Sequence, residues 1–140
     1  EYWKEVLTKE IKTNISMLCQ VTSPLIKLDT FIKCINKYNS LNKPVMTVDS
    51  IKDYIWYRED GKLSPLNYDY PAHPRSQDLS SQYFKINFGV VIISKDDLYK
   101  NNNIMTINST CISLDREESI DIDDEIDFKL AESIYLKNVL

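Results

Sequence analysis

The chain has 140 residues, 43% of them hydrophobic and 11% aromatic, a composition that describes one globular domain with a sizeable core and excludes a disordered polypeptide. With 17 basic against 21 acidic residues, the net charge is −4, the wrong sign for gripping a phosphate backbone, so no nucleic-acid partner is expected. There are two glycines, Gly61 and Gly89, which excludes a glycine-rich phosphate-cradling loop within these residues, and no apolar run approaches the roughly 20 residues of a membrane span.

In chain order, residues 2–12 place Trp3, Val6, Leu7 and Ile11 at helical spacing and predict a helix. Asn14 breaks that pattern, and the short apolar run 15–20 reads as a buried parallel strand. Residues 21–25 form a turn, because Pro24 cannot continue a central strand. Asp29 is the expected N-cap of a second helix striped by Phe31, Ile32, Ile35 and Tyr38. Residues 44–48 read as another buried strand. This alternation of helix and strand predicts an α/β fold with a mostly parallel sheet.

The middle differs. Residues 54–57, a turn over 59–62 and Leu63 onward predict a hairpin. Residues 65–82 carry proline, tyrosine and polar residues without periodicity, and a loop of that length reads as an arm. Regular structure resumes with a strand over 88–93. Ser94 with Asp97 resembles a capping box for a short helix. Strands are expected over 104–107, 111–114 and 119–122. A final helix over 124–138 has Ile126, Leu130 and Ile134 on one face, widened by Ala131 and Tyr135.

Three segments can carry chemistry. In a strand over 119–122, Asp121 and Asp123 would aim two carboxylates at one point, which suits a magnesium ion held by carboxylates and substrate phosphates. Against this stands a solvated helix start, the better reading for Asp124, Glu125 and Asp127, whose charges favour the positive end of the helix dipole. At the end of a predicted parallel strand, Gln20 offers an amide to a sugar hydroxyl, and Thr22 and Ser23 offer hydroxyls; an ordinary turn is the competing reading. On the arm, Arg75 suits carboxylate or phosphate recognition, although a loop arginine by itself is usually just solvated. His73 has no evident acid partner for a hydrolase triad. Cys19, Cys34 and Cys111, even joined by His73, have no zinc spacing, and unpaired cysteines of this kind point to the reducing cytoplasm.

Taken together, Gln20-Val21-Thr22-Ser23-Pro24-Leu25, Arg75-Ser76-Gln77-Asp78-Leu79, Phe88-Gly89-Val90-Val91-Ile92 and above all residues 119–132 resemble the CMP-sugar synthetases, the cytidylyltransferases that activate sialic and related nonulosonic acids. The resemblance implies an α/β fold with a Rossmann-like, mostly parallel sheet flanked by helices. It implies a single partial nucleotidyltransferase domain over 1–140 with an extended hairpin and loop arm over 50–86 for dimerisation and sugar contact. It further implies CMP transfer from CTP to a nonulosonic acid in a cytoplasmic homodimer. Asp121 and Asp123 would be catalytic and hold Mg2+, while Gln20, Thr22, Ser23, Arg75 and Gln77 would hold the sugar. Val21, Ile26 and Phe88 depart from the family's proline, arginine and asparagine, with Lys27 as the nearest substitute for that arginine. The family's N-terminal CTP-gripping loop has no counterpart, so the chain, which opens on Glu1, is expected to be the C-terminal two-thirds of such an enzyme and inactive alone. An inactive dimerisation or sugar-binding fragment and a plain α/β interaction module are the alternatives.

Overall fold

The computed structural model describes residues 5, 12–79 and 83–139. The helix expected over 2–12 lies outside them, apart from Glu5 and Lys12. The elements are β1 (Ile15–Cys19), α1 (Leu28–Leu41), β2 (Val45–Ser50), β3 (Trp56–Glu59), β4 (Lys62–Pro65), β5 (Phe84–Ser94), α2 (Lys95–Asn101), β6 (Thr110–Ser113) and α3 (Glu125–Val139), with a 3-10 turn over Ser76–Asp78. They divide into two compact units, one of Glu1–Asp49 with Ile86–Leu140 and one of Ser50–Lys85.

The first unit holds a sheet in the order β1-β5-β2-β6. Period-2 alternation sends Val90 and Ile92 of β5 to one face, where they pack with Val45, Cys34 and Tyr38 of α1. Val91 and Ile93 go to the other face, beside Met46 and Val48 in one cluster and Leu98 of α2 in another. The Ser94–Asp97 capping box is present: the Asp97 N–H donates to Ser94 Oγ at 3.0 Å and starts α2. Among the described residues, no helix is long and apolar enough to cross a membrane.

The α/β class stands, with helices and a mixed sheet, but the strand directions differ from expectation. β1 pairs antiparallel with β5 while β2 pairs parallel with β6, so the sheet is mostly antiparallel with one parallel pair. β1 is an edge strand rather than a buried one, and Ile15 and Met17 are exposed on it. A continuous apolar run reads the same in either direction, and only the chain's return path through β5 decides between them. No strand forms over 104–107 or 119–122. Helix α1 starts at Leu28, so Asp29 lies inside the first turn instead of capping it; the buried stripe runs through Thr30, Cys34 and Tyr38, and Ile32 and Ile35 face outward. On α3, Ala131 is buried and Ile134 half-buried, whereas Ile126 is 76% exposed and Leu130 and Tyr135 are exposed, so the expected face is packed only in part.

All three cysteines are free. Burial first of all pushes the Cys34 thiol up to about 11, whereas Cys19 is exposed. An alkylating reagent near neutral pH is therefore expected to modify Cys19 at least about tenfold faster than Cys34, since only the accessible thiolate reacts. Peptide mass spectrometry reads the ratio, and equal rates would contradict the packing of α1.

The second unit is built on the hairpin β3–β4, turned by Asp60 (φ 48°) and Gly61 (φ 78°). Two successive left-handed residues match the twist of the flanking strands, and Gly61 adopts that conformation without a Cβ penalty. The following loop satisfies its backbone through side chains. Asn67 accepts from the Ile55 N–H at 2.9 Å and donates to the Asp53 carbonyl at 2.8 Å, and Tyr83 Oη donates to the Leu66 carbonyl at 2.7 Å. Tyr54 donates to the Pro74 carbonyl, and its ring joins those of Tyr68 and His73 in a cluster that Trp56 extends. His73 is thus an aromatic packing partner.

Candidate functional site

The turn after β1 and the segment after β6 are joined by one backbone bond: the Ile122 N–H donates to the Thr22 carbonyl at 2.8 Å. The turn itself is closed by the Ser23 N–H on the Gln20 carbonyl (3.2 Å) and fastened to β5 by the Gln20 N–H on the Gly89 carbonyl (3.0 Å). Two of the motifs singled out in the sequence therefore meet at the end of β1. Gln20 is exposed there, Thr22 is half-buried and Ser23 is buried. Arg75 and Gln77 belong to the other unit, where the Arg75 guanidinium grips Asp78 through Nε (2.7 Å) and Nη2 (3.3 Å).

Glu118, which the sequence reading passed over, seals the start of α1. Helix α1 has no side-chain cap from its own N-terminal residue. Instead, Glu118 Oε1 accepts from the Lys27 N–H (2.8 Å) and from Thr30 Oγ1 (2.7 Å), satisfying one of the helix's orphan donors from across the fold. Lys27 Nζ reaches Asp115 Oδ2 at 2.6 Å. That bond holds Asp115 below the ordinary carboxylate range, with help from the Glu118 N–H, and raises Lys27. The lysine nearest the family's arginine position is committed to a carboxylate of its own chain.

The acidic run sorts into two groups. Asp124 Oδ1 accepts from the Ile126 and Asp127 N–H groups (2.8 and 3.0 Å), while Asp127 Oδ2 accepts from those of Asp123 and Asp124 (3.1 and 3.3 Å). This is a reciprocal cap on α3, so Asp124 and Asp127 belong to the helix start. Neither the Asp121 nor the Asp123 carboxylate takes part in it. Asp121 Oδ1 is buried without a hydrogen-bond partner, a costly arrangement for a carboxylate oxygen unless something outside the chain completes it. The strand argument for aiming the two carboxylates together does not apply, because the segment is not a strand: Asp115 Oδ1 accepts from the Glu117 and Glu118 N–H groups and folds the chain into a turn. Among the described residues, no three metal-ligating side chains cluster. Asp121's orphaned oxygen nonetheless suits the kind of magnesium site in which one or two carboxylates share the ion with phosphate oxygens.

Phe88 shapes the neighbouring part of β5. It sits at φ 57°, a left-handed conformation that a bulky side chain rarely adopts. A buried polar network fixes it there. Asn87 Oδ1 accepts from the Gly89 N–H (3.1 Å) and Thr47 Oγ1 (2.7 Å), Asn87 Nδ2 donates to Asp49 (2.6 Å), and the Val90 N–H donates to Thr47 Oγ1 (2.8 Å). At Gly89 an added Cβ would lie 2.5 Å from Ile26 Cδ1 and 3.2 Å from Thr47 Oγ1, so the turn and the strand approach closely because this residue has no side chain. Beside the turn lies a cavity of about 330 Å³ lined by Leu18, Cys19, Gln20, Phe88, Val91 and Ile104.

No family model and no curated protein matches the sequence. Among solved structures, the chain is similar to 4-diphosphocytidyl-2C-methyl-D-erythritol synthase from Anaerococcus prevotii, a cytidylyltransferase, with a TM-score of 0.66 and 14% identity. The match covers 97% of this chain and 64% of that one, so the chain spans less than two-thirds of its neighbour's length. The chain has a nucleotidyltransferase-like fold.

Proposed function

We propose that the chain is a fragment of a cytidylyltransferase that moves CMP from CTP to a sialic-acid-like nonulosonic acid, releasing pyrophosphate as the sugar's anomeric hydroxyl attacks the α-phosphate. The observation that carries this reading is the backbone bond between Ile122 and Thr22, which ties the Gln20–Ser23 turn to the segment that carries Asp121 and its unpartnered oxygen, on a nucleotidyltransferase-like fold. In this role the Gln20 amide and the Thr22 and Ser23 hydroxyls orient the sugar, and the attacking oxygen is held in place of a freely diffusing one. Asp121 and Asp123 would hold Mg2+, which neutralises phosphate charge when bound. Arg75 and Gln77 are the arm's contribution to the sugar acid, with Arg75 exchanging Asp78 for the ligand carboxylate. The arm would also join two copies in a homodimer, and the free cysteines fit a cytoplasmic setting.

The competing reading, an interaction module whose acidic segment is only a helix start, draws on the capping roles of Asp124 and Asp127. A titration of the chain with N-acetylneuraminate, followed by amide NMR, separates the two. Saturable shifts confined to Gln20, Thr22, Ser23 and the facing Ile122 are expected. Small shifts spread over the surface would reject the sugar-acid role.

A further inference from the structure

The cavity beside the turn has a chemistry that narrows the substrate class. Among the described residues, the six that line it include no charged side chain, so a carboxylate or a phosphate would be desolvated there without a counter-charge from them. Leu18, Phe88, Val91 and Ile104 make four of the six walls, and Gln20 is the one amide at the rim. Partial desolvation raises the Cys19 thiol although it stays exposed, so that wall is uncharged as well. Phe88 is the telling residue, because the backbone there is left-handed, a conformation in which asparagine or glycine is at ease and phenylalanine is strained. An aromatic ring kept at such a position, packed against the Met46, Val48 and Val91 cluster, puts apolar surface where a polar side chain would fit the backbone better.

We infer that this cavity takes the uncharged tail of the sugar acid and selects a methyl-ended, deoxygenated tail over a hydroxylated one, with Phe88 as the specificity-determining wall. The inference rests on the sugar-acid reading of the Gln20–Ser23 turn. A methyl group here gains apolar burial, whereas a hydroxyl loses its water and finds only the Gln20 amide to replace it.

The test compares the affinities of the chain for 9-deoxy-N-acetylneuraminate and N-acetylneuraminate, titrated in the presence of magnesium and read by amide shifts. The deoxy compound is expected to bind at least about tenfold more tightly, in line with what one hydroxyl is worth in an apolar pocket. Phe88→Asn, which suits the left-handed backbone, should narrow that ratio towards unity without lowering Tm. Ile104→Thr, a wall outside the strained strand, should narrow it independently. Equal affinities in the unsubstituted chain, or a ratio unmoved by both substitutions, would overturn the selectivity and leave the sugar-acid role standing. Binding of neither compound would overturn both.

Discussion

Asn87→Ala is expected to cost about 3 kcal/mol of folding stability, since it removes three hydrogen bonds at once, two buried and one partly buried. The Asn87 side chain is the only partner that both the Gly89 N–H and the Asp49 carboxylate have among the bonds of this network, and it orients the Thr47 hydroxyl that serves Val90. Truncation leaves Gly89 N–H buried without an acceptor, and a small void opens between β5 and β2. Asn87→Asp is the sharper control. It keeps the volume and the acceptor for Thr47 but puts a carboxylate oxygen where Asn87 Nδ2 now donates to Asp49 Oδ1 at 2.6 Å, so two like charges meet and it should destabilise as well. Chemical denaturation of both variants measures the effect. A loss below about 1 kcal/mol for Asn87→Ala would mean that the network does not hold Phe88 in place.

Glu118→Ala should cost about 2 to 3 kcal/mol, because a buried cap and a buried side-chain partner disappear together. The Lys27 N–H and Thr30 Oγ1 both depend on Glu118 Oε1, so α1 loses its N-terminal anchorage and the turn after β1 loses its support. Glu118→Gln retains an amide oxygen in the same place and is expected to recover most of the loss. If the glutamine variant is as unstable as the alanine variant, charge rather than hydrogen-bond geometry governs the position, and the capping account fails.

What could be read from the sequence was local. The Ser94–Asp97 box, the turn at Asp60-Gly61 and the helix-start role of Asp124 and Asp127 each depend on residues a few positions apart, and each appears in the structure. The strand expected over 88–93 also forms, within β5, and the two-residue period of any strand sends Val90 and Ile92 to one face of the sheet and Val91 to the other. Long-range choices were not legible. Nothing in the run 15–20 says that β5 would lie beside it antiparallel, or that β1 would end at a sheet edge. Helical spacing on α3 grouped Ile126 with Leu130, but periodicity cannot say which face has something to pack against. The alternation of Ser119 to Ile122 imitates a strand, and the Asp115 side chain overrides it by folding the preceding residues into a turn. Glu118 and Asn87 were missed for the same reason, since a buried polar residue carries no pattern of its own until its partners, 91 and 38 residues away, are in place.

In the proposed site, Asp121 keeps a buried, unpartnered oxygen because a ligand completes it. Such a residue should burden the fold and serve the site. The most direct measurement is a magnesium titration of the chain and of Asp121→Ala, followed through the amides of residues 121–123. Saturable, local shifts are expected in the unsubstituted chain, and their loss in Asp121→Ala, whose stability is unchanged or higher. A featureless response in both chains, or a destabilised Asp121→Ala that still shows the shifts, would contradict the proposed site.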